Sequence, residues 1–154
     1  MSRRGRLVAA FLLLGLLGWI GGEAFTGVVG TRPVGQPTTI TEPADVVAAA
    51  RRALTAWGRF AVTGDLAALD GSFDPGGPQY RVLRGESDAL RDAPLGAPPY
   101  SFDLVVDDVV ADGRYNNVEA SVAMTRPGEK PQSFDWTIVM RRSGDRWLLW
   151  TVVD

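Results

Sequence analysis

Apolar residues change their spacing twice along this chain. An uncharged run, Leu7 to Gly22, comes first. From Pro43 apolar positions recur every three or four residues, and from Tyr100 they alternate with polar ones. Helix and strand faces repeat at 3.6 and 2 residues, so the middle pattern predicts helices and the last predicts strands. Pro43 fits a first helical turn, with Thr41 or Glu42 as its cap. Val46, Val47, Ala50, Leu54, Trp57 and Val62 then fall near one face, and Gly64 ends the helix. Asp65 caps a second, short helix in "DLAALDG", which turns Leu66 and Leu69 inward. After the break "SFDPGGP" a third helix is expected from about Gln79 to Asp92, with Tyr80, Leu83, Ser87 and Leu90 as its stripe.

Four strands follow. Phe102, Leu104 and Val106 mark the inner face of the first; Val118, Ala120, Val122 and Met124 mark that of the second. Phe134, Trp136, Ile138 and Met140 do the same for the third. The breaks at Asp112-Gly113, Pro127 to Pro131 and Ser143-Gly144-Asp145 are turn signals of hairpin length. The expected fold class is α+β, about three helices packed on one face of a four-stranded antiparallel sheet. The last strand, "RWLLWTVVD", is apolar on both faces, with Trp147 on one and Leu148, Trp150 and Val152 on the other. Such a strand should be covered on both sides, and the helices cover only one. Leu148, Trp150 and Val152 are therefore a candidate partner interface. Their cover would be a partner subunit, the N-terminal segment or a membrane surface.

The run Leu7 to Gly22 follows Arg3, Arg4 and Arg6 and has two readings. It is short for the roughly 20 residues of a membrane span and fits a signal-peptide core of about 7–15. In the first reading Gly22-Glu23-Ala24 is a cleavage site and the mature protein is secreted. In the second, which we favour, the helix continues through Val29 and anchors the chain by residues 7–29, with Trp19 in the interfacial belt. Both keep the arginines cytoplasmic and export the rest. Gly15, Gly18 and Gly22 share a helical face that could pair helices, a weak motif by itself. The expected organisation is a signal-anchor over 1–30, a Pro/Thr-rich linker over 31–43, and an extracytoplasmic domain over 44–154.

Composition narrows the chemistry. The 154 residues contain neither histidine nor cysteine. Disulfides, thiolate nucleophiles, Cys-ligated zinc and every His-based triad are excluded. Four of the 16 basic residues precede Pro43, leaving 12 against 16 acidic ones beyond it. A domain of that charge repels phosphate backbones, so no nucleic-acid partner is expected. No cofactor or metal site is expected either. Asp107, Asp108 and Asp112 lack the loop spacing of a calcium site, and Asp70 and Asp74 flank a Gly/Pro turn. Tyr80, Asp103 and Asp135 are the available acid–base set, yet both aspartates alternate with core positions and should face solvent. Trp57, Phe134, Trp136 and Ile138 are the candidate lining of an apolar pocket. Aromatic stripes at this spacing ordinarily fill a core instead.

Gly64-Asp65 with Leu69, and the closing Gly144, Trp147 and Leu149, resemble short structural motifs of the NTF2-like (cystatin-like) α+β superfamily. The resemblance covers about Pro43 to Asp154. It implies a curved sheet wrapped around a long helix as a cone. That cone is open to a small apolar ligand, filled by side chains, or a scaffold only. With an N-terminal anchor the chain is similar to small actinobacterial envelope proteins such as the Mce-associated membrane proteins. The family's isomerases use an Asp base with a Tyr/Asp pair, and its dehydratases use His. No residue here matches those motifs, so none is carried over. The expected function is a non-catalytic, single-pass exported domain that binds a protein partner or a second copy. It would serve an envelope transport, secretion or respiratory assembly. A binding module for a small apolar ligand or lipid is the alternative, and an isomerase- or dehydratase-like enzyme the third reading.

Overall fold

A computed structural model describes residues 43–154. The expected anchor, the cleavage site near Ala24 and the linker up to residue 42 lie outside the described residues. Two α-helices, α1 (Pro43–Thr63) and α2 (Pro78–Asp92), precede strands β1 (Ser101–Asp112), β2 (Tyr115–Thr125), β3 (Gln132–Ser143) and β4 (Arg146–Val153). The strands form one antiparallel sheet in chain order. The fold is α+β. The expected second helix is a single 3-10 turn, Leu66–Leu69. Asp65 caps it by accepting from the Ala67 N–H, and Gly71, at φ +71°, ends it too soon for an α-helix to propagate. Leu69 is buried, but Leu66 is only half-buried.

Helix α1 lies against the sheet because its inner face is apolar and mostly small. Val46, Ala49, Ala50, Ala53, Leu54, Trp57, Phe60 and Ala61 are all buried. Gly58 lets the chain entering β1 cross the helix at backbone contact: Tyr100 N–H donates to the Gly58 carbonyl at 3.1 Å. A Cβ at Gly58 would stand 2.0 Å from the Tyr100 carbonyl oxygen. Gly64, at φ +68°, ends α1 with its N–H on the Phe60 carbonyl. Its own carbonyl accepts the buried Ser87 hydroxyl at 2.6 Å, which fixes α2 to the end of α1.

Rows across the sheet define its inner face. Leu104, Val122 and Phe134 form one row; Val106, Ala120 and Trp136 the next. Val109, Val118, Ile138 and Val152 form another, followed by Asn116, Met140 and Leu149. Two bulges interrupt the pairing. Asp107 is the extra residue in β1, and Trp150, between Leu149 and Thr151, is the extra residue in β4. The second bulge overturns an expectation. Beyond it the alternation of β4 reverses, so Val152 faces inward opposite Ile138 while Thr151 and Val153 face outward. Leu148, Trp150 and Val152 therefore do not share a face. The free edge of β4 is occupied from within the chain: Leu149 N–H donates to the Ser72 carbonyl and Asp74 N–H to the Leu149 carbonyl. Among the described residues, β1 has no strand on its other edge. No described helix is long and apolar enough to cross a membrane.

Candidate functional site

Three of the four candidate pocket residues meet. Trp57 stacks on Trp136 with centroids 5.9 Å apart, and Phe134 on Trp136 at 5.2 Å. Phe102 joins at 6.0 Å from Trp57, and Phe73 meets Trp57 edge-on at 6.3 Å. These rings occupy one another between α1 and the sheet. Ile138 is fully buried in its own row with Val118 and Val152. Phe102 and Phe134 are only half-buried and, with Leu95, pack on Val62, Tyr100 and Met124 at the end of the sheet where β1 starts. The Trp136 indole N–H is buried there with no hydrogen-bond partner. Nearby, the Arg126 guanidinium lies over the Tyr100 ring at 5.8 Å and 3.7 Å from the Glu129 carboxylate. Burial pushes the Tyr100 hydroxyl pKa up, against the opposing pull of Arg126.

The acid–base set is not assembled. Asp103 and Asp135 are exposed on the outer face of the sheet, where Asp135 accepts from the Ser121 hydroxyl at 3.0 Å. Tyr80 is on α2, which packs against the inner side. Glu86 on α2 is a half-buried carboxyl that the sequence pattern marks only faintly. Burial alone raises its pKa to about 7. The signal available was weak: Glu86 stands three residues after Leu83 and four before Leu90, on the flank of the buried stripe. Among the described residues no three acidic side chains gather as a cation site.

Trp150 has company from its own chain. The Arg141 guanidinium lies over its ring at 4.9 Å, and Tyr115 meets it edge-on at 5.9 Å. Asp74, itself buried, receives Arg141 Nη1 at 3.0 Å and the Gly76 N–H at 2.9 Å. A Cβ at Gly76 would come within 3.9 Å of the Trp150 ring, so the loop passes directly over it. The cover expected from outside is in part this loop. Leu148 is buried beside it, and Trp150 remains half-buried.

The rest of the outer sheet face carries a distinct chemistry. Asp103, Ala123 and Ser133 form one outward row, and Val105, Ser121 and Asp135 the next. Asp108, Glu119, Thr137 and Val153 form the third. Val105 is 65% exposed and Val153 48%. These three rows carry four carboxylates and two exposed valines, one on each edge strand, among small side chains and with no basic residue. On the side of α1 turned away from the sheet the exposed residues are Ala44, Asp45, Ala48, Arg51, Arg52, Thr55, Arg59 and Thr63.

No family model and no curated protein matches the chain. A solved structure of a designed NTF2-like protein, Rd1NTF2_05 with five substitutions, is similar. The identity is 14% and the TM-score 0.47, over 71% of this chain and 96% of that one.

Proposed function

We propose that this chain is a non-catalytic, membrane-anchored exported domain that binds a protein through the outer face of its sheet. Residues 7–29 hold it in the membrane as a single pass, with the N-terminus cytoplasmic. Residues 44–154 stand outside as an NTF2-like domain in a cell-envelope assembly. The observation that carries the reading is the outer face: both described helices pack on the inner side, and Val105 and Val153 stand exposed among small residues. Val105 stands on β1 and Val153 on β4, so the exposed apolar positions frame the small residues of β2 and β3 between them. The exposure of Asp103 and Asp135, with Asp135 tied to the Ser121 hydroxyl, supports the non-catalytic half of the proposal. Trp150 borders the face through Arg141 and Tyr115 and adds an aromatic rim.

A photo-crosslinking residue at Val105 of the full-length chain, in its native membrane, tests this. Protein adducts are expected at Val105 and not at a control position, Arg84 on α2. Equal labelling at both positions, or none, overturns it.

A second reading has its own observation. The unpartnered Trp136 N–H beside half-buried Phe102 and Phe134 supports binding of a small apolar ligand or lipid at that end of the cone. Native mass spectrometry of the purified chain would show a bound mass if it holds.

A further inference from the structure

We infer that the occupant of the outer sheet face is the α1 surface of a second copy of this chain, an inference that rests on the docking reading just given. Two surfaces of the same molecule match. The outer face presents Asp103, Asp108, Glu119 and Asp135 around Val105 and Val153. The exposed side of α1 presents three arginines, Arg51, Arg52 and Arg59, against one carboxylate, Asp45, with Ala44, Ala48 and Thr55 beside them. None of these three arginines has an acidic partner among the described residues. Ala44, Ala48 and Thr55 leave room beside the arginines, and Ser121, Ala123 and Ser133 leave room beside the carboxylates. The lengths also agree. The 21 residues of α1 span roughly 31 Å at 1.5 Å per residue. Strands of 11 and 12 residues, β1 to β3, run at least as far at about 3.3 Å per residue.

Charge decides against the other occupants. Sheet face on sheet face would set four carboxylates against four. An anionic lipid surface would meet the same repulsion. The helix-on-sheet contact uses different patches on the two copies, so it leaves a free face at each end and does not close. One helical stripe also buries less than the roughly 800 Å² per partner of a standard interface. The contact is therefore weak in solution and becomes effective where copies are confined to one plane.

The test uses the full-length chain in mild detergent, crosslinked at low and at 0.5 M salt. A ladder of dimers, trimers and larger species is expected at low salt, at least tenfold reduced at high salt. Asp103→Lys/Asp108→Lys/Glu119→Lys and Arg51→Glu/Arg52→Glu/Arg59→Glu should each lose the ladder. Mixing the two variants should restore it, and so should combining both sets of changes in one chain, which also shows that neither set unfolds the protein. A single dimer band indifferent to salt and to these reversals overturns the inference. If Val105 adducts contain a different protein while the ladder is absent, the docking reading stands and the second copy does not. If Val105 yields no adduct at all, both fall.

Discussion

At the level of single residues, Glu86 and Trp150 have the clearest consequences. Burial raises the Glu86 pKa to about 7, above its value in an unfolded chain. The folded state therefore favours the protonated form. Stability from this group is complete below the unfolded pKa and is lost as pH rises through about 7. Glu86→Gln should raise the melting temperature at pH 8 and leave it nearly unchanged at pH 4, a difference read by melting both proteins at both values. Trp150→Ala strips the surface on which Arg141 lies and uncovers the Asp74 pair. A loss of about 1–3 kcal/mol is expected from those contacts. Trp147→Ala, which empties a buried position, should cost more, about 3–5 kcal/mol. Denaturant melts of the two variants check the order. Neither Glu86 nor the Arg141–Trp150 stack was legible in the sequence. The stack depends on the bulge at Trp150 and on Asp74, which holds Arg141 from 67 residues away.

At the level of elements, the sequence was a good guide wherever the period is long and the turn chemistry strong. The stripes of α1 and α2 and the inner positions of β2 and β3 lie where alternation places them. Gly113, Gly128 and Gly144 adopt positive φ in the three hairpin connections that their dipeptides announce. Alternation also put Asp103 and Asp135 outside, which removes the acid–base set. The misses have separate causes. A bulge inserts a residue without changing composition, so the reversal at Trp150 is invisible in a run apolar on both sides, and Val152 was placed on the wrong face. Four residues between Asp65 and Asp70 support a capped turn as readily as a helix. Phe60, fully buried on α1, escaped because the face was drawn too narrowly. The close crossing at Gly58 gives an element-scale prediction. Gly58→Ala pushes a Cβ into backbone that has no rotamer to give way, so α1 and the start of β1 must separate. A loss of about 2–3 kcal/mol is expected, seen as a lower unfolding midpoint at unchanged slope.

At the scale of the whole molecule, the described domain distributes charge unevenly, with arginines along the exposed side of α1 and carboxylates on the outer sheet face. Asp108 and Glu119 stand directly opposite each other and repel across the sheet, with Asp103 and Asp135 adding to the same sign of charge. Replacing Asp103, Asp108, Glu119 and Asp135 by their amides should therefore hold or raise the melting temperature at low salt, with the gain fading at 0.5 M. A lower melting temperature would mean that these groups stabilise the fold rather than serve a surface. The pairing of β4 on both sides, with β3 along one edge and Ser72–Asp74 along the other, sets the order of assembly. The loop laid down first cannot find its partner until some 75 residues later, when Leu149 has been made. Until then α1 can pack on the first three strands, but α2 lacks the strand on which it rests. A chain that stops short of Arg146 would keep α1 on three strands and leave the Ser72–Asp74 loop with no backbone to bond.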